Sequence, residues 1–430
     1  MARRLRLFAA LLTLPLALAS CKIDTINSFP NTFASVRFVN VMAGAAALDA
    51  AEAGTTVWPG VPLETATGYR DFPPSDVNFA VSLPGSTTTL INTRYALFGE
   101  QTYTLTAYGS VAAPALLMMP DDAVAPGGGN FKLRIVNAAA KFGFIDAYLT
   151  KPDDAIDNLS PSFFGVNTGI ATISNRYAAG QYRLRLTLSG TKTVIYDSGS
   201  LSYADGRNTA AIVYTKGSAQ LVNVALADFN GTAAVALANS TLARIKSIHA
   251  APQTGAVNLL VDGAAIVSGE IYPSPSLYAN VSSGARAITY EAAATPGATI
   301  AAVTGSLGAA TDTSILLTGF TGALQAIALS DFNLPSVTNR PRVRFVNASP
   351  DAPPLDVLNG TAKQVSALAS PTASGYVEFD SGTYTFTINN AATGTPLLTV
   401  PGVVLFSAET ATVYIVGGMT QLAAMVVIDR

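Results

Sequence analysis

The chain has 430 residues, of which 49% are hydrophobic and only 12% charged, and its formal net charge is -2. It has no run of lysine or arginine long enough to indicate nucleic acid or anionic lipid as a partner, and it is too apolar to be disordered. The single cysteine excludes an intrachain disulfide, and the single histidine argues against a Cys/His zinc site or a Ser/His/Asp relay. No cofactor is predicted.

Residues 1–20 have the pattern of a signal peptide, because Arg3, Arg4 and Arg6 precede an apolar segment over residues 7–18. The tetrapeptide LASC at residues 18–21 resembles the bacterial lipobox, in which the cysteine is acylated and becomes the first residue. We therefore predict lipidation of Cys21 and a membrane anchor made of acyl chains. The alternative is an ordinary secretory signal with Cys21 as a free thiol. By the same resemblance, Lys22 favours the outer membrane, and residues 21–33 form a tether.

Four related segments follow, and each begins with an alternating apolar block. The blocks end at Asn40, Asn137, His249 and Asn347, with spacings of 97, 112 and 98 residues. A period near 100 residues is the size of a domain and too long for a solenoid repeat.

Other positions repeat with the blocks. Nine residues after each block end lie Asp49, Asp146, Asn258 and Asp356. Tyrosines recur 29 residues after three of the block ends, and Ser174 takes the tyrosine position in the second unit. These tyrosines are Tyr69, Tyr278 and Tyr376. Each unit closes on an acid, at Asp121, Asp228, Asp331 and Asp429. We conclude that the chain is built from four copies of one domain.

Each copy carries seven or eight short alternating segments separated by turn residues, without a long segment of helical period. This pattern predicts an all-β protein with four tandem antiparallel β-sandwiches, immunoglobulin-like or transthyretin-like. The predicted units span residues 34–128, 129–232, 241–335 and 340–430. Because the linkers are short, we expect a semi-extended string of units.

The fourth unit carries the most specific resemblance. Residues 343–357 (VRFVNASPDAPPLDV), 374–388 (SGYVEFDSGTYTFTI) and 412–418 (TVYIVGG) resemble the bacterial domain-of-unknown-function family 4397. The third unit resembles this family moderately, and the first two only through the repeated positions. The resemblance implies a β-domain outside the cytoplasm and brings no established activity with it.

No catalytic site is predicted. A glycosidase needs two carboxylates across one cleft, whereas the repeated acids occur once per unit, so we interpret them as caps of turns or strand edges. Asp351 with Asp356, and the acidic insertion with Asp153, Asp154 and Asp157, are thin candidates for calcium. His249 is interpreted as a hydrogen-bonding partner of the adjoining turn.

The aromatic residues allow two interpretations. Trp58 fits packing better than sugar stacking. The three repeated tyrosines fit packing as well, and they are also weak candidates for a repeated ligand-binding position.

Two functions remain open. The first is a lipid-anchored, non-enzymatic envelope protein whose sandwiches act as spacers, adhesion modules or binding modules, with a glycan or an envelope protein as partner. The alternative is a carbohydrate-active envelope protein that binds or hydrolyses glycans, which would need an aromatic-lined groove and two suitably spaced acids.

Overall fold

The structure is a computed structural model that describes residues 32–230, 234–334, 336 and 339–430. Its strands fall into four successive units, each built on two sheets of four or more strands, which confirms the predicted all-β sandwich class. We call the sheet that contains the first strand of a unit its mixed sheet, and the other its antiparallel sheet. Within the described ranges no helix has the length and apolar character needed to cross a membrane.

Unit 1 places β4, β1, β8 and β9 in its mixed sheet, with β5 also paired to β1, and β3, β2, β6 and β7 in its antiparallel sheet. Its strands are β1 (Ala34–Asn40), β2 (Ala47–Glu52), β3 (Thr55–Pro62), β4 (Thr65–Ala66), β5 (Arg70–Phe72), β6 (Asp76–Ser82), β7 (Thr89–Ala96), β8 (Thr102–Ser110) and β9 (Ala113–Pro120).

Unit 2 has the same plan, with one further strand at the edge of its mixed sheet. Its strands are β10 (Asn130–Ala138), β11 (Ile145–Thr150), β12 (Phe163–Val166), β13 (Ile170–Ala171), β14 (Asn175–Ala178), β15 (Gly180–Leu188), β16 (Val194–Tyr203), β17 (Asn208–Tyr214), β18 (Asn223–Asp228) and β19 (Val235–Ala238).

Unit 3 adds a two-stranded ribbon, β25 with β28, to the common plan. Its strands are β20 (Leu242–His249), β21 (Val257–Val261), β22 (Ala264–Glu270), β23 (Ser274–Pro275), β24 (Ala279–Ser282), β25 (Gly284–Ala285), β26 (Ile288–Ala292), β27 (Thr299–Val303), β28 (Ser306–Leu307), β29 (Asp312–Thr318) and β30 (Gln325–Asp331).

Unit 4 repeats the plan and includes a short 3-10 helix, Met419–Gln421, before its last strand. Its strands are β31 (Arg342–Asn347), β32 (Leu355–Asn359), β33 (Ala362–Leu368), β34 (Thr372–Ala373), β35 (Val377–Glu378), β36 (Gly382–Asn390), β37 (Pro396–Leu405), β38 (Thr410–Val416) and β39 (Ala423–Ile428).

One strand pair in each unit is parallel, which the alternation alone did not predict. In unit 1 the first strand β1 pairs with β8 in parallel from Ser35 with Thr102 to Asn40 with Ala107. The chain between these strands forms the whole antiparallel sheet, and this long crossover is what a parallel pair requires. The other pairs in the sheets are antiparallel.

Each unit begins and ends at the same end of its mixed sheet. Ser35 lies beside Thr102, and the adjacent Tyr103 pairs with Pro120 at the end of β9. These positions are two strand spacings apart, which is about 10 Å. A short linker therefore returns the next unit to the side of the preceding one.

The described residues form six apolar layers. Four of them lie between the two sheets of a single unit. The fifth joins the mixed sheets of units 1 and 2 through residues such as Val39, Tyr108, Val136 and Ile212. The sixth joins the mixed sheets of units 3 and 4 in the same way. Each pair of units is thus a stack of four sheets.

The units are therefore docked in pairs, a point that the sequence left open. The first strands carry apolar side chains on both faces: Val36 and Phe38 point into the core of unit 1, whereas Val39 and Val41 pack against unit 2. A strand that is buried on both faces needs apolar residues on both. The short linkers and the shared end of the mixed sheet let the units stack face to face.

The docked pair makes a distinct prediction for two neighbouring leucines of β29. Leu316 packs in the layer between units 3 and 4, and Leu317 packs in the core of unit 3. Both are fully buried, so Leu316→Ala and Leu317→Ala should each lower the free energy of unfolding by about 2–4 kcal/mol in urea titrations. Leu277→Ala is the control, because Leu277 is 90% exposed. A Leu316→Ala effect as small as that of the control would contradict the docking.

Candidate functional site

Buried ion pairs cross the boundary between units 3 and 4. The Lys246 ammonium on the first strand of unit 3 pairs with Asp429, the closing acid of unit 4. The Arg344 guanidinium on the first strand of unit 4 pairs with Asp331, the closing acid of unit 3. Side-chain exposure is 2% for Lys246 and 0% for Asp429. Each unit thus neutralises a buried charge of its neighbour, and the two contacts are related as in a two-fold interface.

Units 1 and 2 are joined by a related exchange. Arg134 of unit 2 approaches the closing acid of unit 1, with 3.9 Å between Arg134 Nη2 and Asp121 Oδ1. In return, Arg37 Nη1 donates to the main-chain oxygen of Asp228 at 3.0 Å. The Asp228 carboxylate itself pairs with Arg207 of its own unit. This pair is therefore less symmetrical than the pair formed by units 3 and 4.

Hydroxyl groups connect the cations to the acids. In unit 1, Arg37 Nε donates to Thr104 Oγ1 at 2.9 Å, and Thr104 donates to Asp121 at 2.7 Å. In unit 4, Arg344 Nε donates to Thr412 Oγ1 at 2.9 Å, and Thr412 donates to Asp429 at 2.6 Å. Burial alone would lower the pKa of Arg344, but the attraction of Asp331 outweighs it and the pKa is raised. We call these cations, hydroxyls and acids the interface clusters.

The three repeated tyrosines lie in the interface clusters. Tyr69 donates to Asp121 and Tyr278 donates to Asp331, both at 2.5 Å, whereas Tyr376 accepts from the Phe332 N–H at 3.4 Å. Burial raises the pKa of all three, as do the nearby carboxylates. Their hydroxyls therefore stay protonated. The ligand-binding role that the sequence suggests for these residues stays a prediction.

Cations stack on the tyrosine rings. The distance from the cationic atom to the ring centroid is 5.1 Å for Arg37 over Tyr69, 4.7 Å for Lys246 over Tyr278, and 5.3 Å for Arg344 over Tyr376. Such contacts add to the stability of a buried cation. Unit 2 has Ser174 in place of the tyrosine, and there Arg134 stacks on Phe229 at 4.4 Å. An aromatic ring thus covers the cation in every unit.

Sequence reasoning missed the cations of these clusters. A lysine or arginine recurs three residues before each block end, and the closing acid recurs at each unit end. One cation and one acid per unit was a signal for reciprocal pairing between units. The cations are Arg37, Arg134, Lys246 and Arg344.

A second missed position lies two residues before each tyrosine or its substitute. There a serine or threonine Oγ accepts the N–H of the residue two positions before the block end, as Thr67 does from Phe38 at 2.9 Å. The same contact joins Thr172 to Ile135, Ser276 to Ser247, and Ser374 to Phe345. It fixes the short break between the two strands that pair with the first strand.

The acids that follow each block hold a bulge in the next strand. In each unit one residue of the opposing strand has a positive φ, and its N–H donates to the acid or to Asn258. The donors and acceptors are Gly60 with Asp49, Gly165 with Asp146, Gly269 with Asn258, and Ala367 with Asp356, at 2.6, 2.7, 2.9 and 2.9 Å. This agrees with the interpretation of these residues as caps.

The residues that end the blocks fasten the same bulge. Asn40, Asn137 and Asn347 donate to the main-chain oxygen of the residue that follows the positive-φ position, at 3.0, 2.8 and 3.1 Å. His249 Nε2 lies 3.2 Å from the Gly255 oxygen in the adjoining turn. Burial lowers the pKa of His249. The predicted role of His249 as a turn partner agrees with this contact.

The remaining candidates from the sequence, Trp58 and Asp351, make packing or main-chain contacts within unit 1 and unit 4. Trp58 is 3% exposed and stacks on Phe38 with 5.9 Å between ring centroids, as the packing interpretation predicted. Asp351 accepts the Met419 N–H at 2.7 Å. In the ranges that the structure describes, no group of three or more His, Cys, Asp or Glu residues is placed to hold a metal ion.

Family models place these units among known domains. The model "Domain of unknown function (DUF4397)" matches residues 34–148, 243–358 and 341–430, more than half of the chain. The chain belongs to the DUF4397 family. This match confirms the resemblance that the sequence predicted. It also covers unit 1, which lies within the matched residues 34–148. No protein of curated function matches the sequence.

Two solved structures are similar in part. One is a family 26 carbohydrate-binding module of Eubacterium rectale Amy13K in complex with maltoheptaose, with 10% identity, a TM-score of 0.16, and coverage of 47% of this chain and 96% of that one. The other is the Bacillus anthracis TIE protein, with 9% identity, a TM-score of 0.14, and coverage of 86% of this chain and 64% of that one.

The buried pair between units 3 and 4 can be tested by an isosteric change. Asp429→Asn leaves Lys246 buried without a counter-charge, so it should lower the free energy of unfolding by about 3 kcal/mol in urea titrations. Asp76→Asn is the control, because the Arg94–Asp76 pair is solvent-exposed and should contribute less than about 1 kcal/mol. Equal effects of the two changes would contradict the proposed role of the interface cluster.

The bulges of units 3 and 4 predict opposite effects on stability for exchanges between glycine and alanine. Gly269 has a φ of 66°, and no atom lies within 4 Å of the position that a Cβ would occupy, so Gly269→Ala should cost about 1 kcal/mol of conformational energy. Ala367 already has a φ of 49°, so Ala367→Gly should be neutral or stabilise by up to about 1 kcal/mol. Gly375→Ala is the control, because Gly375 has open space and no positive φ. Destabilisation by Ala367→Gly would contradict the explanation that the positive φ at the bulge determines these effects.

Proposed function

We propose that this DUF4397 protein is a lipid-anchored, non-enzymatic component of the cell envelope. Its docked β-sandwiches would hold a binding or adhesion surface at a fixed distance from the membrane. The observation that carries this proposal is the use of the repeated polar residues, which join unit to unit or hold bulges in the strands.

The anchor is the first element of the proposal. Cys21 and the signal pattern of residues 1–20 lie outside the described residues, so the anchor is supported by sequence alone. Several acyl chains would hold the protein at a membrane without a spanning helix, because each buried methylene contributes about 0.8 kcal/mol. Lys22 supports an outer-membrane location.

The non-enzymatic character is the second element. Asp49 accepts a main-chain N–H, Asp356 pairs with Lys363 and accepts a main-chain N–H, and the closing acids bind cations or tyrosines. The Lys363 ammonium, together with the Ala367 N–H, holds the pKa of Asp356 below its usual value. A carboxylate kept ionised by structural partners is poorly suited to act as a general acid.

Rigidity is the third element. Buried ion pairs and apolar layers join unit 1 to unit 2 and unit 3 to unit 4. Each pair should therefore move as one body, as a spacer requires. The partner at the far surface is a glycan or an envelope protein in this proposal, and the carbohydrate-active alternative gains no support from Trp58, which is buried in a core.

The anchor is tested by Cys21→Ala in the full chain, expressed in a Gram-negative host with an alkyne-tagged fatty acid. The natural chain should take up the tag and sediment with outer membranes, whereas Cys21→Ala should lose both properties because it lacks the acylated thiol. Lys22→Ala keeps the thiol and is the control for uptake of the tag. Uptake of the fatty-acid tag by Cys21→Ala would contradict the lipid anchor. Sedimentation of the untagged Cys21→Ala protein with the membranes would contradict it as well.

The function of the domains is tested with the mature chain, residues 22–430, on an array of glycans and envelope components. Specific binding of an arrayed component without turnover supports a binding module. A spacer is supported if nothing on the array binds and small-angle X-ray scattering shows that each docked pair of units behaves as a rigid body. Hydrolysis of an arrayed glycan that is lost when a single acid is changed would overturn the non-enzymatic proposal.

A further inference from the structure

Unit 3 has polar side chains where the other three units have apolar core residues. Ser247, Glu270 and Tyr290 are all buried between its two sheets. The equivalent positions are Phe38, Val61 and Val81 in unit 1; Ile135, Val166 and Leu186 in unit 2; and Phe345, Leu368 and Ile388 in unit 4. Three linked replacements in one core call for a physical explanation.

The three side chains form a continuous chain of oxygen contacts across the sandwich. Ser247 Oγ, on β20 of the mixed sheet, contacts Glu270 Oε2 on β22 of the antiparallel sheet. Ser247 Oγ also lies 2.7 Å from the hydroxyl oxygen of Tyr290 on β26. That hydroxyl lies 2.7 Å from the main-chain oxygen of Ile315 on β29. The polar chain therefore links both sheets.

The number of protons along this chain determines the state of the carboxyl group. Three oxygen–oxygen contacts need three hydrogens, and Ser247 and Tyr290 supply one each, while the Ile315 oxygen supplies none. The third hydrogen can come only from Glu270. With it, Glu270 donates to Ser247, Ser247 donates to Tyr290, and Tyr290 donates to Ile315. An ionised Glu270 would leave one contact as two facing lone pairs.

Among the described residues, the surroundings of Glu270 offer only the Ser247 hydroxyl to hold a negative charge. Its second oxygen, Oε1, is buried and has no hydrogen-bond partner among the described residues. The cations of β20 are directed to other acids, since Arg244 pairs with Asp312 and Lys246 pairs with Asp429. A buried carboxylate without a counter-charge is costly, and the neutral acid costs much less.

The other titratable groups near the polar chain are neutral or directed elsewhere. His249, on β20, and Tyr272, which follows β22, pack edge to face with 5.9 Å between ring centroids. Tyr414 of unit 4 is buried in the layer that covers β20 and β29. Glu291, on β26, accepts from Asn258. None of these groups brings a positive charge to Glu270 when His249 is neutral.

We infer that Glu270 is a neutral carboxylic acid in the folded protein, and that its ionisation loosens unit 3 as the pH rises. The polar chain is then a pH-sensitive element built into one of the four cores. Unit 3 is held most firmly in a mildly acidic medium, and it opens more readily in a neutral or alkaline one. Units 1, 2 and 4 lack this element.

The direction of the pH dependence follows from linkage. Burial raises the pKa of Glu270 from 4.5 to about 7, and the Ser247 hydroxyl opposes that rise only in part. The folded state therefore binds a proton that the unfolded state releases, so the stability from Glu270 is complete below pH 4.5 and falls as the pH rises towards 7. His249 acts in the opposite sense, because burial lowers its pKa.

Glu270→Gln in the full mature chain tests the inference. The glutamine amide can donate to Ser247 and completes the polar chain at every pH. We expect similar stability of the two proteins near pH 5. Between pH 5 and 7, the unfolding equilibrium constant of unit 3 in the natural chain should rise about fortyfold relative to the variant. Amide hydrogen exchange of Asp312–Thr318 reports this opening, and both proteins keep His249, so its contribution cancels.

Glu291→Gln is the matched control, because the Asn258 amide and the Gly297 N–H hold the pKa of Glu291 below its usual value. Loss of the Glu291 carboxylate should destabilise the protein more at pH 7 than at pH 4. This pH trend is opposite to the one expected for Glu270→Gln. Infrared spectroscopy gives a second measurement: the natural chain at pH 5 should show a buried carboxylic-acid band that Glu270→Gln lacks. A pH-independent difference between the natural chain and Glu270→Gln, or no such band, would overturn the inference.

Discussion

The architecture depends on the neutralisation of a buried charge of one unit by the next. Lys246 and Arg344 lie on strands that are covered on both faces, and their counter-charges, Asp429 and Asp331, belong to the neighbouring unit. A lone ion at this depth would cost several kcal/mol. The apolar layer between the units excludes water from the charges, and the charges fix how the sheets are aligned.

The sandwich class and the repeated plan could be predicted because they follow from local pattern. Alternation in the first strands marks one face as core, as Val36 and Phe38 show. The same alternation cannot distinguish solvent from a neighbouring unit on the other face, where Arg37 and Val39 lie. The partners Lys246 and Asp429 are 183 positions apart. Pairing at that distance depends on how the units stack, which local pattern does not encode.

Repetition in this protein therefore marks what each unit needs to fold and dock. The acids, the block-ending asparagines and the tyrosines recur because every unit has the same bulge and, in three units, a cation stacked on a tyrosine ring. Residues that differ between otherwise equivalent positions carry the individual properties of a unit. The Ser247–Glu270–Tyr290 chain is one such departure, and it could not be recognised before the sheets placed β20, β22 and β26 around one core.

The paired mixed sheets also constrain how many units such a protein can have. Each mixed sheet has one apolar outer face, and that face is covered by the sheet of one partner unit. A fifth unit would leave one of these faces open to water, together with its buried cation. Loss of a single unit would expose the outer face of its former partner to water in the same way. In this protein the docked pair, and not the single unit, is thus the smallest element whose mixed sheets are covered on both faces.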